Sequence, residues 1–135
     1  MQAYIKGKFG YNYTSTVIEV QIPALMGPNS GLLENDEEFT SILADITEEI
    51  RKLGALRQFF VNGEGQREVF LVRQRDLPLF GGTILPSAIG KAFAEFEAIT
   101  SAFACYNLLN GKKFMGVPVE INFVDRDQFL TKKLA

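Results

Sequence analysis

Acidic and aromatic side chains with suggestive spacing point to binding more than to catalysis. Asp45 and Glu49 are four residues apart, so they share one face of any helix that spans them. Glu38 and Glu48 add negative charge to the same segment. This spacing is equally typical of the solvated face of an amphipathic helix. Taken by itself, the pattern leaves both interpretations open.

The side chains needed for most enzyme mechanisms are missing from the sequence. It contains no histidine, which removes Ser-His-Asp and Cys-His catalysis and the commonest metal ligand. Cys105 is the only cysteine, and we expect it to be a small buried hydrophobe. There is no Gly-Lys-Ser or Gly-Lys-Thr phosphate loop and no metal-ligand cluster at a recognisable spacing. We therefore expect a protein that is not an enzyme and has no cofactor.

Size and charge limit the remaining classes of protein. The 135 residues, 47% of them hydrophobic, are enough for one domain with a substantial core. The net charge of −2 and the pI of about 5.2 argue against a domain that grips phosphates, because such domains are usually basic. The N-terminal residues lack the apolar stretch of a signal peptide, so we expect an intracellular protein.

The first half of the chain predicts a strand, a helix and a second strand. Alternating apolar residues predict a strand over 16–22. A helix is predicted over 36–53, with Asn35 as N-cap, Glu38 completing a capping box, and a buried stripe through Ile42, Ile46 and Ile50. Residues 55–61 are predicted to form the second strand. Residues 1–15, with alternating aromatic residues, are an N-terminal tail, an added edge strand or an aromatic flap over the sheet.

The second half predicts the rest of a split βαβ fold. A hairpin partner over 67–74 and a long irregular connection give an insertion at about 62–89. A strand over 91–96, a helix capped by Thr100 or Ser101, and a strand over 117–124 follow; residues 125–135 include a short helix. The fold class predicted for 16–135 is α+β, ferredoxin-like: a four-stranded antiparallel sheet with two helices on one face.

Several short motifs, taken in order, resemble one branch of the RNA recognition motifs. They are LENDEEF (33–39), GKxFxEF (90–96), LNGKKFxG (109–116) and VDxD (124–127). The sequence resembles the UHM domains, the homology motif of the auxiliary splicing factor, and is most similar to the domain of that factor's large subunit. The resemblance covers about residues 16–129.

The resemblance implies a site for a peptide that carries basic residues followed by a tryptophan. It implies that Phe114 contacts the tryptophan, that Lys112 occupies the position of the family's arginine, and that Asp45 and Glu49 meet the basic residues, with Glu38 adding to the negative field. Lysine lacks the planar guanidinium that stacks on an indole, so we expect a weaker or different grip there. Phe103 lies off the buried stripe of its helix, where it either lines the pocket or packs under the insertion.

The sheet positions at which RNA recognition motifs stack bases are largely changed in this sequence. By the resemblance, they hold Glu19, Lys91 and Phe93, so Phe93 is the one aromatic residue among them. Each stacked base contributes about 1–3 kcal/mol, and acidic residues repel phosphate. We therefore expect Phe93 and Lys91 to be the RNA-facing residues, with weak or absent RNA binding.

Three functions follow as hypotheses. The first is a nuclear protein-interaction module of the pre-mRNA splicing machinery whose partner is a splicing factor with a basic-tryptophan motif. The second is an RNA-binding domain that uses Phe93, Lys91, the N-terminal aromatic residues and the arginines Arg67, Arg73 and Arg75. The third is a structural module that forms homodimers, in which the insertion or residues 1–15 pair with another copy through an exposed strand edge.

Overall fold

The structure is a computed structural model that describes residues 5–6, 12–13, 15–61 and 65–135. The elements, in chain order, are β1 (Ile5–Lys6), β2 (Asn12–Tyr13), β3 (Val17–Gln21), α1 (Asp36–Arg51), β4 (Phe59–Val61), β5 (Gly65–Arg67), β6 (Val69–Leu71), β7 (Lys91–Glu95), α2 (Ile99–Leu109), β8 (Lys113–Phe114), β9 (Val117–Pro118), β10 (Glu120–Val124) and α3 (Arg126–Leu130). Short 3-10 helices occupy much of the connections at 23–34, 74–80 and 86–88.

The main sheet has four strands in the order β10-β3-β7-β6, and every neighbouring pair is antiparallel. Helices α1 and α2 pack on one face of this sheet, over Ile18, Val20 and Ile121. This order and layering are those of the split βαβ, RRM-like fold, so the predicted fold class is confirmed. Within the described part of the chain, no helix combines the length and apolar character needed to cross a membrane.

Helix α1 follows its sequence signals closely. The side chain of Asn35 accepts a hydrogen bond from the Glu38 amide at 3.0 Å, which satisfies one of the free N–H groups of the first turn. Phe39, Ile42, Ile46 and Ile50 are buried against the sheet. The helix ends at Arg51, two residues earlier than predicted. Gly54 then passes close to α2, where an added Cβ would lie only 2.1 Å from the Ser101 Oγ.

Helix α2 begins without the predicted cap. It starts at Ile99 with Ala98 at the N-cap position, and no side chain caps it, so the prediction that Thr100 or Ser101 does so is wrong. Ala102 and Cys105 are buried in the core. Burial disfavours the charged thiolate and raises the pKa of Cys105 to about 12, as expected for a structural cysteine.

The second strand of the sheet differs from the prediction. Residues 55–57 align with the end of β7: Leu56 bridges Phe96, and the Arg57 amide donates to the Glu95 carbonyl at 2.8 Å. The chain then leaves the sheet as the β4–β5 hairpin and returns as β6, which pairs with residues 92–94. Residues 55–61 are therefore not one continuous strand of the main sheet. Residues 55–57 run beside β7, and residues 59–61 belong to the hairpin that interrupts this edge of the sheet.

The N-terminal strands form a ladder of their own. Ile5 pairs with Tyr13 and Lys6 with Asn12, so β1 and β2 form a separate two-stranded sheet. Among the described residues they form no ladder with the main sheet. Phe9 and Tyr11, on which the alternative of an aromatic flap depends, lie outside the described residues.

Candidate functional site

The sheet face opposite the helices is covered by the chain itself. A second apolar cluster on this face includes Phe70 and Phe93 from the sheet, Ile84 and Ala88 from the connection before β7, and Phe129 from α3. The Leu85 amide donates to the Leu134 carbonyl at 2.8 Å, which ties the C-terminal segment to that connection. The face that carries RNA-stacking residues in RNA recognition motifs is thus an interior surface here.

Phe93 and Lys91 are therefore not presented as the predicted RNA-facing residues. Phe93 has 0% of its surface exposed, so no base can stack on it in this conformation. The Lys91 Nζ lies 3.7 Å from the Glu19 Oε1 and donates to the Ala135 carbonyl at 3.0 Å. Both residues are on the expected face of the sheet. They are not open to RNA because residues distant in the sequence fold over that face.

Buried carboxylates on this face are engaged by polar partners. Glu19 is 1% exposed, and the Asn122 side-chain amide donates to its Oε2 at 3.0 Å. Glu95, also buried, accepts from the Thr16 hydroxyl and pairs with Arg126 at the start of α3. Partners of this kind are required because removing a carboxylate from water is costly. The Arg126 pair joins the sheet to the segment that covers it.

Lys132 makes further contacts within the C-terminal segment that covers the sheet face. Its Nζ donates to the Phe129 carbonyl at 3.0 Å and lies 4.4 Å from the centre of the Phe129 ring. Burial disfavours the charged amine and lowers the pKa of Lys132. The apolar packing and these polar contacts together keep the sheet face closed.

An open groove lies on the other side of the molecule, between α1 and the α2–β10 connection. Its volume is about 270 Å³. The floor is apolar. It consists of Ile46 and Ile50 from α1, Leu109 from α2, and Val119, which lies just before β10. The rim carries charges of both signs, from Asp45, Glu48, Glu49, Lys112 and Lys113.

Four of the six residues predicted for peptide binding meet in this groove: Asp45, Glu49, Lys112 and Phe114. The β8–β9 hairpin holds Phe114 at its edge, partly buried against the core. The Lys112 Nζ lies 3.7 Å from the Glu49 Oε2, so it bridges the two walls. Residues more than 60 positions apart in the sequence are brought together because both flanking helices pack on the same sheet face.

Glu49 is the most strongly engaged acidic residue of the groove. The Lys52 Nζ donates to its Oε1 at 3.0 Å, and Lys112 approaches its other oxygen. The hydrogen bond from Lys52 and the positive charge of both lysines lower the pKa of Glu49. Exposed ion pairs such as these are weak and screened by salt, so a charged ligand can compete for Glu49.

Glu38 and Phe103 are not among the residues that line the groove, and their roles in peptide binding stay predictions. Glu38 is in the first turn of α1, about 16 Å along the helix axis from Glu49 at 1.5 Å per residue. Phe103 packs edge-to-face on Phe123, with ring centres 5.5 Å apart. It is a partly buried aromatic residue that packs against the main core.

Sequence reasoning missed two parts of the groove. Its floor uses Ile46 and Ile50, which the helical period identified as core residues without showing that they border a groove. Lys52 was overlooked as a partner of Glu49. The signal for Lys52 was present, since oppositely charged residues three apart on a helix are neighbours.

Comparisons with known proteins find solved structures that are only weakly similar to this chain. No protein-family model matches the chain, and no curated protein matches it. Similar solved structures include the Rna15 RRM, at 15% identity and a TM-score of 0.45, which covers 87% of this chain and 99% of that one. The Rna15 RRM with bound RNA (GU) has 15% identity, a TM-score of 0.43 and covers 87% of this chain and 95% of that one.

A third similar structure is the RRM3 domain of Gbp2, with 16% identity, a TM-score of 0.46 and coverage of 85% of this chain and 83% of that one. Likeness at this level carries no inference about function. The assignment of an RRM-like α+β fold rests on the sheet order and helix placement of the chain itself.

Proposed function

We propose that this domain is a protein-interaction module that binds a short peptide segment, holding one tryptophan in the groove beside Phe114. Lysine or arginine residues of the peptide then contact the acidic rim of α1. The observation that carries the proposal is the meeting of an aromatic edge, an apolar floor and acidic side chains in one open groove. A concave, mostly apolar site with a few polar groups is the usual form of a ligand site.

The size of the groove supports an aromatic anchor. A cavity of about 150 Å³ accommodates a benzene molecule, so the 270 Å³ here leaves room for the larger indole ring. Ile46, Leu109 and Val119 offer an apolar surface below it, and Phe114 offers a ring for stacked or edge-to-face contact. Lys112 has no planar guanidinium to stack on the indole, so Phe114 carries more of the aromatic recognition.

The charge of the α1 rim supports a basic peptide. Asp45 and Glu48 are exposed and lie beside the groove, one helical turn or less from Glu49. A Lys or Arg of the peptide can replace the weak pairs that Glu49 makes with Lys52 and Lys112. Contacts of this kind speed association and fix orientation more than they add affinity.

RNA binding through the sheet is the less favoured alternative. Phe93 is buried, and the carboxylates of Glu19 and Glu95 belong to the same face, so base stacking would first require the C-terminal segment to leave. That opening exposes apolar surface and breaks buried polar contacts, both of which cost free energy. The groove needs no such rearrangement.

The proposed cellular setting comes from the resemblance of the sequence to UHM domains. That resemblance is the reason for proposing a splicing factor with a basic-tryptophan segment as the partner, and a nuclear location. Phe114 and the acidic pair Asp45 and Glu49 match the positions that carry the resemblance. Lys112 stands where the family has an arginine. The affinity for such a peptide shows how much this replacement weakens binding.

Acidic residues of α1 test the electrostatic part of this proposal. We expect Asp45→Asn with Glu49→Gln to slow association of a basic tryptophan peptide about threefold or more at low ionic strength, because the rim attracts the basic residues. Stopped-flow fluorescence at two salt concentrations measures the rate. Glu38→Gln is the control: it removes one acid from the same helix at its far end and lowers the rate much less, because it is about 16 Å from the groove. Equal effects of the two changes would contradict a local acidic site.

A further inference from the structure

We propose that the β8–β9 hairpin selects peptides with apolar residues on the side of the tryptophan away from the basic residues. This inference rests on the proposed function and extends it to the second flank of the peptide. It depends on the exposed apolar side chains of Val117 and Met115, which have no role in the core.

Val117 prolongs the aromatic edge of the groove. It is paired directly with Phe114 across the hairpin, and side chains of directly paired residues lie on the same face of a β ladder. Phe114 lines the groove, so Val117 continues its apolar wall outwards, with 36% of its surface exposed. A peptide that places its tryptophan beside Phe114 must pass over or near this residue.

Met115 occupies an unfavourable backbone conformation at the hairpin turn. The two turn residues, Met115 and Gly116, have φ angles of +54° and +82°. Turns with two positive φ angles strongly prefer Asn-Gly, because asparagine tolerates this conformation better than other side chains. Met115 also leaves a large apolar side chain 52% exposed. A large apolar side chain that is exposed at a strained turn position is available for binding.

The two walls of the groove differ in charge, and this difference determines which flank of the peptide meets which wall. The α1 wall carries Asp45, Glu48 and Glu49, whereas the hairpin wall carries Lys112 and Lys113 beside its apolar residues. Basic residues of the peptide are attracted to the first wall and repelled from the second. The flank that reaches the hairpin is therefore not basic, and Val117 and Met115 favour an apolar one over a polar one. A flexible methionine side chain adapts to apolar groups of different shape.

The test uses three peptides that share the same basic segment and tryptophan and differ at two flanking residues: leucine, serine or glutamate. Isothermal titration with the full chain measures each affinity. We expect the leucine peptide to bind at least about fourfold tighter than the serine peptide, the ratio given by burying one more CH₂ group. In the variant Val117→Thr with Met115→Asn, the ratio falls to about one. Thermal unfolding verifies that this variant is folded.

A control variant at another exposed apolar residue shows whether the effect is specific to the hairpin. Leu79→Asn changes an equally exposed apolar residue on another connection and keeps the wild-type ratio. Equal binding of the leucine and serine peptides, or tighter binding of the glutamate peptide, would overturn the selection by the hairpin and leave the groove proposal standing. If no peptide binds, or if binding is insensitive to Phe114→Ala, the proposed function itself fails and the selection falls with it.

Discussion

Replacing Phe114 with alanine lowers the affinity for a basic peptide with one tryptophan by about 30-fold or more, or about 2 kcal/mol, as expected for an aromatic hot spot. Phe114 is the aromatic residue that lines the groove, and its ring is partly buried over the core. Alanine removes the ring contact with the indole and widens the site, so water enters. Titration calorimetry of the wild type and the variant measures the difference.

Phe60→Ala is the matched control for this change. Phe60 is a phenylalanine on the β4–β5 hairpin, largely exposed and outside the groove lining. Its replacement therefore leaves peptide affinity unchanged and confirms that the loss is not a general effect of removing a ring. Circular dichroism verifies that both variants keep their helices. A folded Phe114→Ala variant with unaltered affinity for the peptide would remove the basis of the groove assignment.

Phe93→Ala lowers the free energy of unfolding by about 3–5 kcal/mol, the usual cost of truncating a fully buried phenylalanine. Phe93 lies between the sheet and the C-terminal cover, packed in the cluster that contains Phe70 and Phe129. The truncation leaves a cavity between β7 and α3 that the surrounding segments can fill only in part. Urea unfolding followed by circular dichroism gives the change in free energy.

The same variant separates a structural role from RNA stacking. Phe60→Ala again serves as the control, because truncating an exposed ring changes the stability by about 0.5 kcal/mol or less. If Phe93 stacked on RNA bases, its truncation would lower affinity for short single strands with little loss of stability. That combination of results would contradict the closed sheet face.

Local sequence patterns carried the prediction of helix α1 and of most of the sheet. The capping residues Asn35 and Glu38 and the stripe of Ile42, Ile46 and Ile50 act within a few residues of one another, so one sequence is enough to recognise them. In the last predicted strand, Val119, Ile121 and Phe123 alternate along the chain and are all buried in the main core. Alternation along a strand identifies its faces in the same local way.

The interrupted second strand and the covered sheet face could not be predicted in this manner. Whether residues 55–61 continue in the sheet depends on which segment pairs with β7, and β6 competes for that place. The burial of Phe93 depends on α3 and the connection before β7, both far away in the sequence. Val17, Phe70 and Val124 are apolar residues on that face. Acidic residues near them in the sequence interrupt the apolar pattern that would predict a second core.

The groove shows the same division between local and distant information. The positions of Asp45 and Glu49 on one face of α1 follow from their spacing, and the structure brings them to Lys112 and Phe114. The exclusion of Glu38 depends only on its distance along the helix, which spacing could have shown. The packing of Phe103 on Phe123 depends on how α2 is rotated over the sheet, which its own residues do not specify.

NMR titration of the isotope-labelled domain shows most directly whether the groove or the sheet is the binding surface. One series adds a lysine- and arginine-rich peptide with a single tryptophan, and another adds a short pyrimidine-rich RNA. We expect peptide-induced shifts at Ile46, Glu49 and Phe114, with the resonances of Glu19 and Phe93 unmoved by either ligand. Shifts at Glu19 and Phe93 with RNA, and none in the groove with the peptide, would contradict it.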